Sequence, residues 1–134
     1  MMLKEQISEG RGKVTGRRVI DGPKGHRVET SFEEQLKMLG VDGRGMGTYW
    51  AEMRPDGTLF GEGQGVWMGA AGEAVQWRGQ GIGIFQPDGG IKFRGAIYYT
   101  TTAERLLRLN RIAGVFEHDV SADGTTTGKV WEWA

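Results

Sequence analysis

Three side chains of this sequence have the chemistry for proton transfer or anion binding: Glu62 and Arg78, diagonal to each other on neighbouring strands, and, apart from them, His118. In an interior, Glu62 would serve as a base and Arg78 as an anion stabiliser. An imidazole such as that of His118 titrates near neutrality and suits either proton role. Each also has a plainer reading. Glu62, Gln64, Arg78, Gln80 and Arg94 fall into a polar stripe, and a solvated cross-strand ladder contributes about a few tenths of a kcal/mol per pair. His118 lies in Glu117-His118-Asp119, turned away from both acids if the segment is extended, and shares a face with Phe116 and Val120; a histidine so placed is more often structural. His26 shares no ligand spacing with it, so no metal site is expected. The chain has no cysteine, which removes disulfides and thiolate nucleophiles. Gly-x-Gly runs at 61–65 and 79–83 alternate within strands, without the strand, glycine turn and helix of a dinucleotide site. No nucleophile motif is present, and no cofactor is expected. A second set, Tyr49, Trp67, Trp77, Phe93 and Tyr99, suits an apolar ligand pocket; its plainer reading is barrel core.

The elements that position these residues follow from the turns. Turn signals recur at Gly22-Pro23-Lys24-Gly25, Val41-Asp42-Gly43, Pro55-Asp56-Gly57, Ala70-Ala71-Gly72, Pro87-Asp88-Gly89-Gly90 and Ala122-Asp123-Gly124. The intervening segments alternate or are rich in aromatic and β-branched residues, which predicts strands near 10–21, 26–39, 44–54, 58–69, 73–86, 91–100, 112–121 and 125–133. Thr101-Thr102-Ala103-Glu104 reads as a capping box opening a helix over 102–109, whose leucines would plug a barrel end. The expectation is an all-β chain: one domain over 1–134, a closed antiparallel up-and-down barrel of about eight strands with one short helix capping an end. Glycine supports it. The 24 glycines, about 18% of the chain, exceed the roughly 7% of average proteins, and inward glycines relieve crowding in a small barrel.

Three-residue loops at Pro55–Gly57, Ala70–Gly72 and Pro87–Gly89 set a register. They place Tyr49 opposite Gly63, Trp77 opposite Gly65 and Phe93 opposite Gly83, each an aromatic compensating for a missing side chain. One face then carries the five aromatics and many glycines, with no charge. The other carries Glu62, Arg78, Lys92 and Arg94. Burying unpaired charge is costly, so the charge-free face should point inward. The segment 28–38 fits less well. A three-residue loop at Val41–Gly43 puts Val28, Phe32, Leu36 and Met38 on the charged face, while a two-residue Asp42-Gly43 turn puts Phe32 and Leu36 on the other.

Acidic and basic residues balance at 17 each, so no field draws nucleic acid or anionic lipid. With no cysteine and no long apolar run, a cytoplasmic protein without membrane spans is expected. Val66, Met68, Ile82 and Ile84 fall on the charged face and read as an apolar patch for a dimer or trimer.

Gln64-Gly65-Val66-Trp67 followed by Gly81-Ile82-Gly83-Ile84-Phe85 resembles the allene oxide cyclase and dirigent-type proteins, over residues 57–99. The resemblance implies an eight-stranded barrel with a cavity, assembled as a dimer or trimer, with Trp67 matching the pocket aromatic. The plant enzymes' pocket cysteine has no counterpart, and neither their cavity glutamate nor the dirigent acidic groups can be placed. The resemblance thus lends the fold rather than an activity, as for an uncharacterised bacterial relative. Three functions follow: a barrel binding a small hydrophobic molecule, an isomerase or cyclase acting on a reactive hydrophobic substrate, or an assembly module without small-molecule activity.

Overall fold

Eight strands, each paired antiparallel with the next and the last with the first, close the sheet on itself. The computed structural model describes residues 3–134. In chain order the strands are β1 (Leu3–Gly22), β2 (Gly25–Met38), β3 (Val41–Met53), β4 (Leu59–Gly69), β5 (Ala74–Phe85), β6 (Ile91–Thr101), β7 (Ala113–Val120) and β8 (Thr125–Trp133), with one 3-10 helix (Glu104–Arg111) between β6 and β7. The all-β barrel with a single short helix is therefore the fold. No helix is long and apolar enough to cross a membrane among the described residues.

The hairpins explain the register. Each three-residue loop ends on a glycine with positive φ, among them Gly57 (87°), Gly72 (89°) and Gly89 (91°), a conformation that glycine adopts without a Cβ clash. The flanking residues pair as expected: Arg54 N–H donates to Thr58 O, Gly69 N–H to Glu73 O and Gln86 N–H to Gly90 O, each at 2.8 Å. Tyr49 accordingly faces Gly63, Trp77 faces Gly65 and Phe93 faces Gly83.

The second hairpin departs from expectation. Neither Val41–Gly43 nor Asp42-Gly43 is the turn: Met38 pairs with Val41, and the turn is Leu39-Gly40, at φ 47° and 81°. Two consecutive positive φ values give the tight turn whose twist matches the strands. Leu39 carries the strain of a left-handed non-glycine while packing against the core. This turn directs Phe32, Leu36 and Met38 inward together, and Glu34, which alternates with them, goes inward too.

The sequence also understates β1, which begins at Leu3 rather than near residue 10. It is bulged between Val14 and Gly16, and β8 accompanies it only as far as Lys13↔Thr125. From there to Gly22 β1 pairs with β2 alone.

The helix starts later than the capping box suggests. Its N-cap is Ala103, and no side chain caps it. Thr101 is still in β6, where its hydroxyl donates to Ala74 O (2.6 Å) and accepts from Ala103 N–H (3.0 Å). Asn110 fastens the helix to the barrel instead, accepting from Thr101 N–H at 2.8 Å and donating to Thr101 O at 2.9 Å. Leu106 and Leu109 are buried against Ile7, Met38, Trp67 and Val75, so the helix plugs that end. A smaller cluster, Leu59, Phe93 and Val120, fills the other.

Candidate functional site

Between the two clusters the barrel keeps a cavity of about 110 Å³. The inward face owes this room to its glycines. Gly61, Gly63, Gly79, Gly81 and Gly128 all border the space, and large side chains reach across it from other strands. Tyr49, Trp67, Trp77, Phe93 and Tyr99 all line it, joined by Phe32. The charge-free face of β3 to β6 is thus the interior. Trp67 is fixed by donating from Nε1 to Leu36 O at 2.9 Å. Tyr49 and Phe93 meet edge to face at 5.4 Å, and Phe32 lies 6.3 Å from Trp77.

Besides the tyrosines, a histidine and a glutamate face this apolar space. His118 sits among Phe32, Tyr49 and Phe93, with ring centroids 4.9, 5.9 and 6.3 Å away. Its Nε2 is buried without a hydrogen-bond partner. Burial pushes its pKa down to about 4, against a weak opposing pull from Asp119, so the imidazole is neutral near pH 7. The second group is Glu34. Burial alone pushes its carboxyl up to about 7. Burial also raises the phenol of Tyr49, offset by the Thr30 hydroxyl and the charge of Arg17. Tyr99 is raised more, by burial first and also by the nearby Glu34, with the Ser8 hydroxyl opposing. A carboxyl poised near neutrality and a neutral imidazole with a free nitrogen are suited to donating, accepting or holding a proton.

Sequence reasoning missed Glu34. The signal was the alternation of Val28, Phe32, Leu36 and Met38 along β2, which places every even-numbered residue of 28–38 on one face. A three-residue loop at Val41–Gly43 reverses that face, and it is this reading that concealed Glu34.

The other two chemical candidates lie elsewhere. Glu62 and Arg78 have exposed side chains on the outer face. Gln64 faces Arg78, and Gln80 faces Glu62 and donates to it at 3.4 Å. Glu62 borders the cavity only between Gly61 and Gly63, where the absence of side chains leaves its main chain open inward. Arg94 turns to β7, pairing with Asp119 at 2.6 Å. His26 sits at an exposed turn 3.2 Å from Asp21, and no cluster of three metal-ligating side chains occurs among the described residues.

The outer apolar residues also separate. Val66 pairs with Met46 and Gln76, whereas Ile82 pairs with Phe60 and Arg94. Val66 lies six residues along β4 from Phe60, a span of about 20 Å, with Glu62 and Gln64 between. One group is therefore Met46, Val66 and Met68, exposed at 52%, 42% and 53%; Ile82 and Ile84 belong to the other end. Met46 and Val66 edge an outer groove of about 480 Å³ that Tyr98 and Arg78 also line.

A closed eight-stranded barrel around a small, largely apolar cavity is thus the class of protein. Several solved structures share the fold. A protein of unknown function from Clostridium acetobutylicum superposes with a TM-score of 0.82 at 13% identity, covering 99% of both chains. A β-barrel-like protein from Acinetobacter baumannii has a TM-score of 0.81 at 11% identity, covering 98% of this chain and 94% of its own. An enzyme from Penicillium herquei has a TM-score of 0.67 at 11% identity, covering 98% of this chain and 96% of its own. At such identities the likeness is one of fold. No protein-family model matches the chain, and no curated protein matches it. What these neighbours share with the allene oxide cyclase and dirigent resemblance is the barrel.

Proposed function

We propose that the barrel binds a small, mostly apolar molecule in its interior, and that copies of the chain associate through the outer face at Met46, Val66 and Met68. The observation that best supports binding is a cavity which seven aromatic residues border without filling. Its volume, about 110 Å³, approaches the roughly 150 Å³ at which an apolar cavity holds benzene. It falls below the ~300 Å³ of sites for drug-sized ligands. The occupant on this reading is about one ring in size.

Gly128 allows a direct test. A Cβ there would meet only ordinary contacts, 3.7 Å from Glu117 O and 3.9 Å from His118 Nδ1, while projecting toward the cavity. Calorimetric titration with benzyl alcohol should show saturable binding to the native chain and none to Gly128→Val with its circular dichroism unchanged. Equal binding by both proteins would place the ligand outside the barrel.

An isomerase or cyclase is the second reading, favoured by the unpartnered Nε2 of His118 beside an apolar space. The role offered to Glu62 and Arg78 then passes to His118 and Glu34. The Penicillium herquei fold neighbour is described as an enzyme, which agrees with the scaffold hosting chemistry.

A further inference from the structure

Glu34 is the part of the interior that contacts between rings leave unexplained. Its side chain turns inward from β2 and lines the cavity with Trp67, Trp77 and Tyr99. Its cross-strand neighbours are Gly12 on β1 and Gly45 on β3, so neither flanking strand offers it a side chain. A Cβ at Gly45 would stand 3.2 Å from Glu34 Oε2; the glycine leaves the carboxyl its place. Among the described residues no lysine or arginine forms an ion pair with it. The titratable groups that share the cavity with it are Tyr99 from β6, Tyr49 from β3 and His118 from β7, while Glu62, Glu117 and Lys129 border it from exposed positions, Glu117 paired across the strands with Lys129. Neither the two tyrosines nor the histidine carries charge near pH 7.

A carboxylate held among rings and glycines with no cation is costly to ionise. A cation arriving with the ligand would remove that cost, and aromatic rings attract cations at the same time. We infer that the ligand is a small single-ring amine, bound as its ammonium ion with Glu34 as counter-ion and the rings of Phe32, Trp77 and Tyr99 around it. This rests on the reading that the cavity takes a ligand at all. Neutral molecules of the same shape would bind by contact alone. Anions of the same shape would be excluded.

The test compares benzylamine, benzyl alcohol and benzoate by isothermal titration of the full chain at about pH 8, where Glu34 is ionised. Benzylamine should bind about tenfold or more tighter than the alcohol, the factor a charge-assisted hydrogen bond supplies, and benzoate should not bind. In Glu34→Gln, with circular dichroism as the check on folding, the amine should lose its advantage and bind no tighter than the alcohol. Equal affinities in the native chain would overturn the amine and leave the cavity reading standing. Silence from all three compounds would overturn both. A second measurement needs no variant. At about pH 6, where Glu34 is largely protonated in the empty cavity, amine binding should expel a proton, read as heats that depend on the buffer's ionisation enthalpy. Amine binding without proton release would remove Glu34 as the counter-ion.

Discussion

Glu34 and His118 face the same cavity and oppose each other in their effect on stability. The carboxyl ordinarily titrates at 4.5 and does so at about 7 in the barrel. The folded state therefore holds a proton that the unfolded chain gives up, and stability falls as pH rises from about 4.5 to about 7. The imidazole ordinarily titrates at 6.5 and does so at about 4 in the barrel. Here the unfolded chain takes up a proton that the fold refuses, and stability falls as pH drops from about 6.5 to about 4. In the shared window each slope is about 1.4 kcal/mol per pH unit, so the two cancel. Asp56, Glu73 and Asp123, all held below their ordinary values, act below that window. Urea unfolding between about pH 4.5 and 6.5 should thus give a nearly level profile for the native chain. Glu34→Gln should become more stable with rising pH and His118→Phe less stable. Level profiles in both variants would mean that neither group is desolvated in the fold.

Among the strands, the pairing of aromatics with glycines does most to shape the interior. At Gly65 a Cβ would collide with the indole of Trp77, and a Cβ at Gly47, the cross-strand partner of Gly65, would stand 2.6 Å from the same ring. Gly65→Ala should cost about 1 to 3 kcal/mol in chemical denaturation, as overpacking does. Gly128→Ala, with open contacts, should be close to neutral. Equal costs would show that backbone entropy rather than crowding governs these sites. These pairings were legible in the sequence because Pro-Asp-Gly and Ala-Ala-Gly loops fix register, and register fixes which residues face each other. The hairpin joining β2 and β3 was not. Its turn uses Leu39, a residue that composition never marks as left-handed, and the conspicuous Asp42-Gly43 three residues on belongs to β3. Reading three loop residues there instead of two turned β2 over, and Glu34 was lost from the interior with it. The helix misled for a related reason: Thr101 satisfies the spacing of a capping box, but its hydroxyl is engaged by the strand it terminates. Apolar residues on the outer face were identified correctly and grouped wrongly, since sharing a face says nothing about distance along a strand.

For the molecule as a whole, balanced charge matters as much as the barrel. With 17 acidic and 17 basic residues, copies meet without net repulsion, and Met46, Val66 and Met68 offer adjoining apolar side chains on β3 and β4. On the assembly reading, light scattering coupled to gel filtration should give a dimer or trimer for the native chain and a monomer for Val66→Asp with an unchanged melting temperature. Ile82→Asp, at the far end of the same face, should leave the assembly intact. A monomer in the native protein would confine function to the interior.

The pairing of β1 with β8 has a consequence for how the barrel comes into being. Every other strand pair joins neighbours in the chain through a short connection or the helix, whereas this seam brings Leu3 to Trp133 and Lys13 to Thr125. Closing so large a loop carries the greatest entropic cost of any pairing in the protein, and contacts so distant in sequence are the slow ones to form. Until they do, the meander is an open sheet with two unsatisfied edges, free to pair with another unfinished chain. Folding speed and the hazard of misassembly are thus set at one seam, and the long β1, already zipped to β2 along most of its length, is half of it.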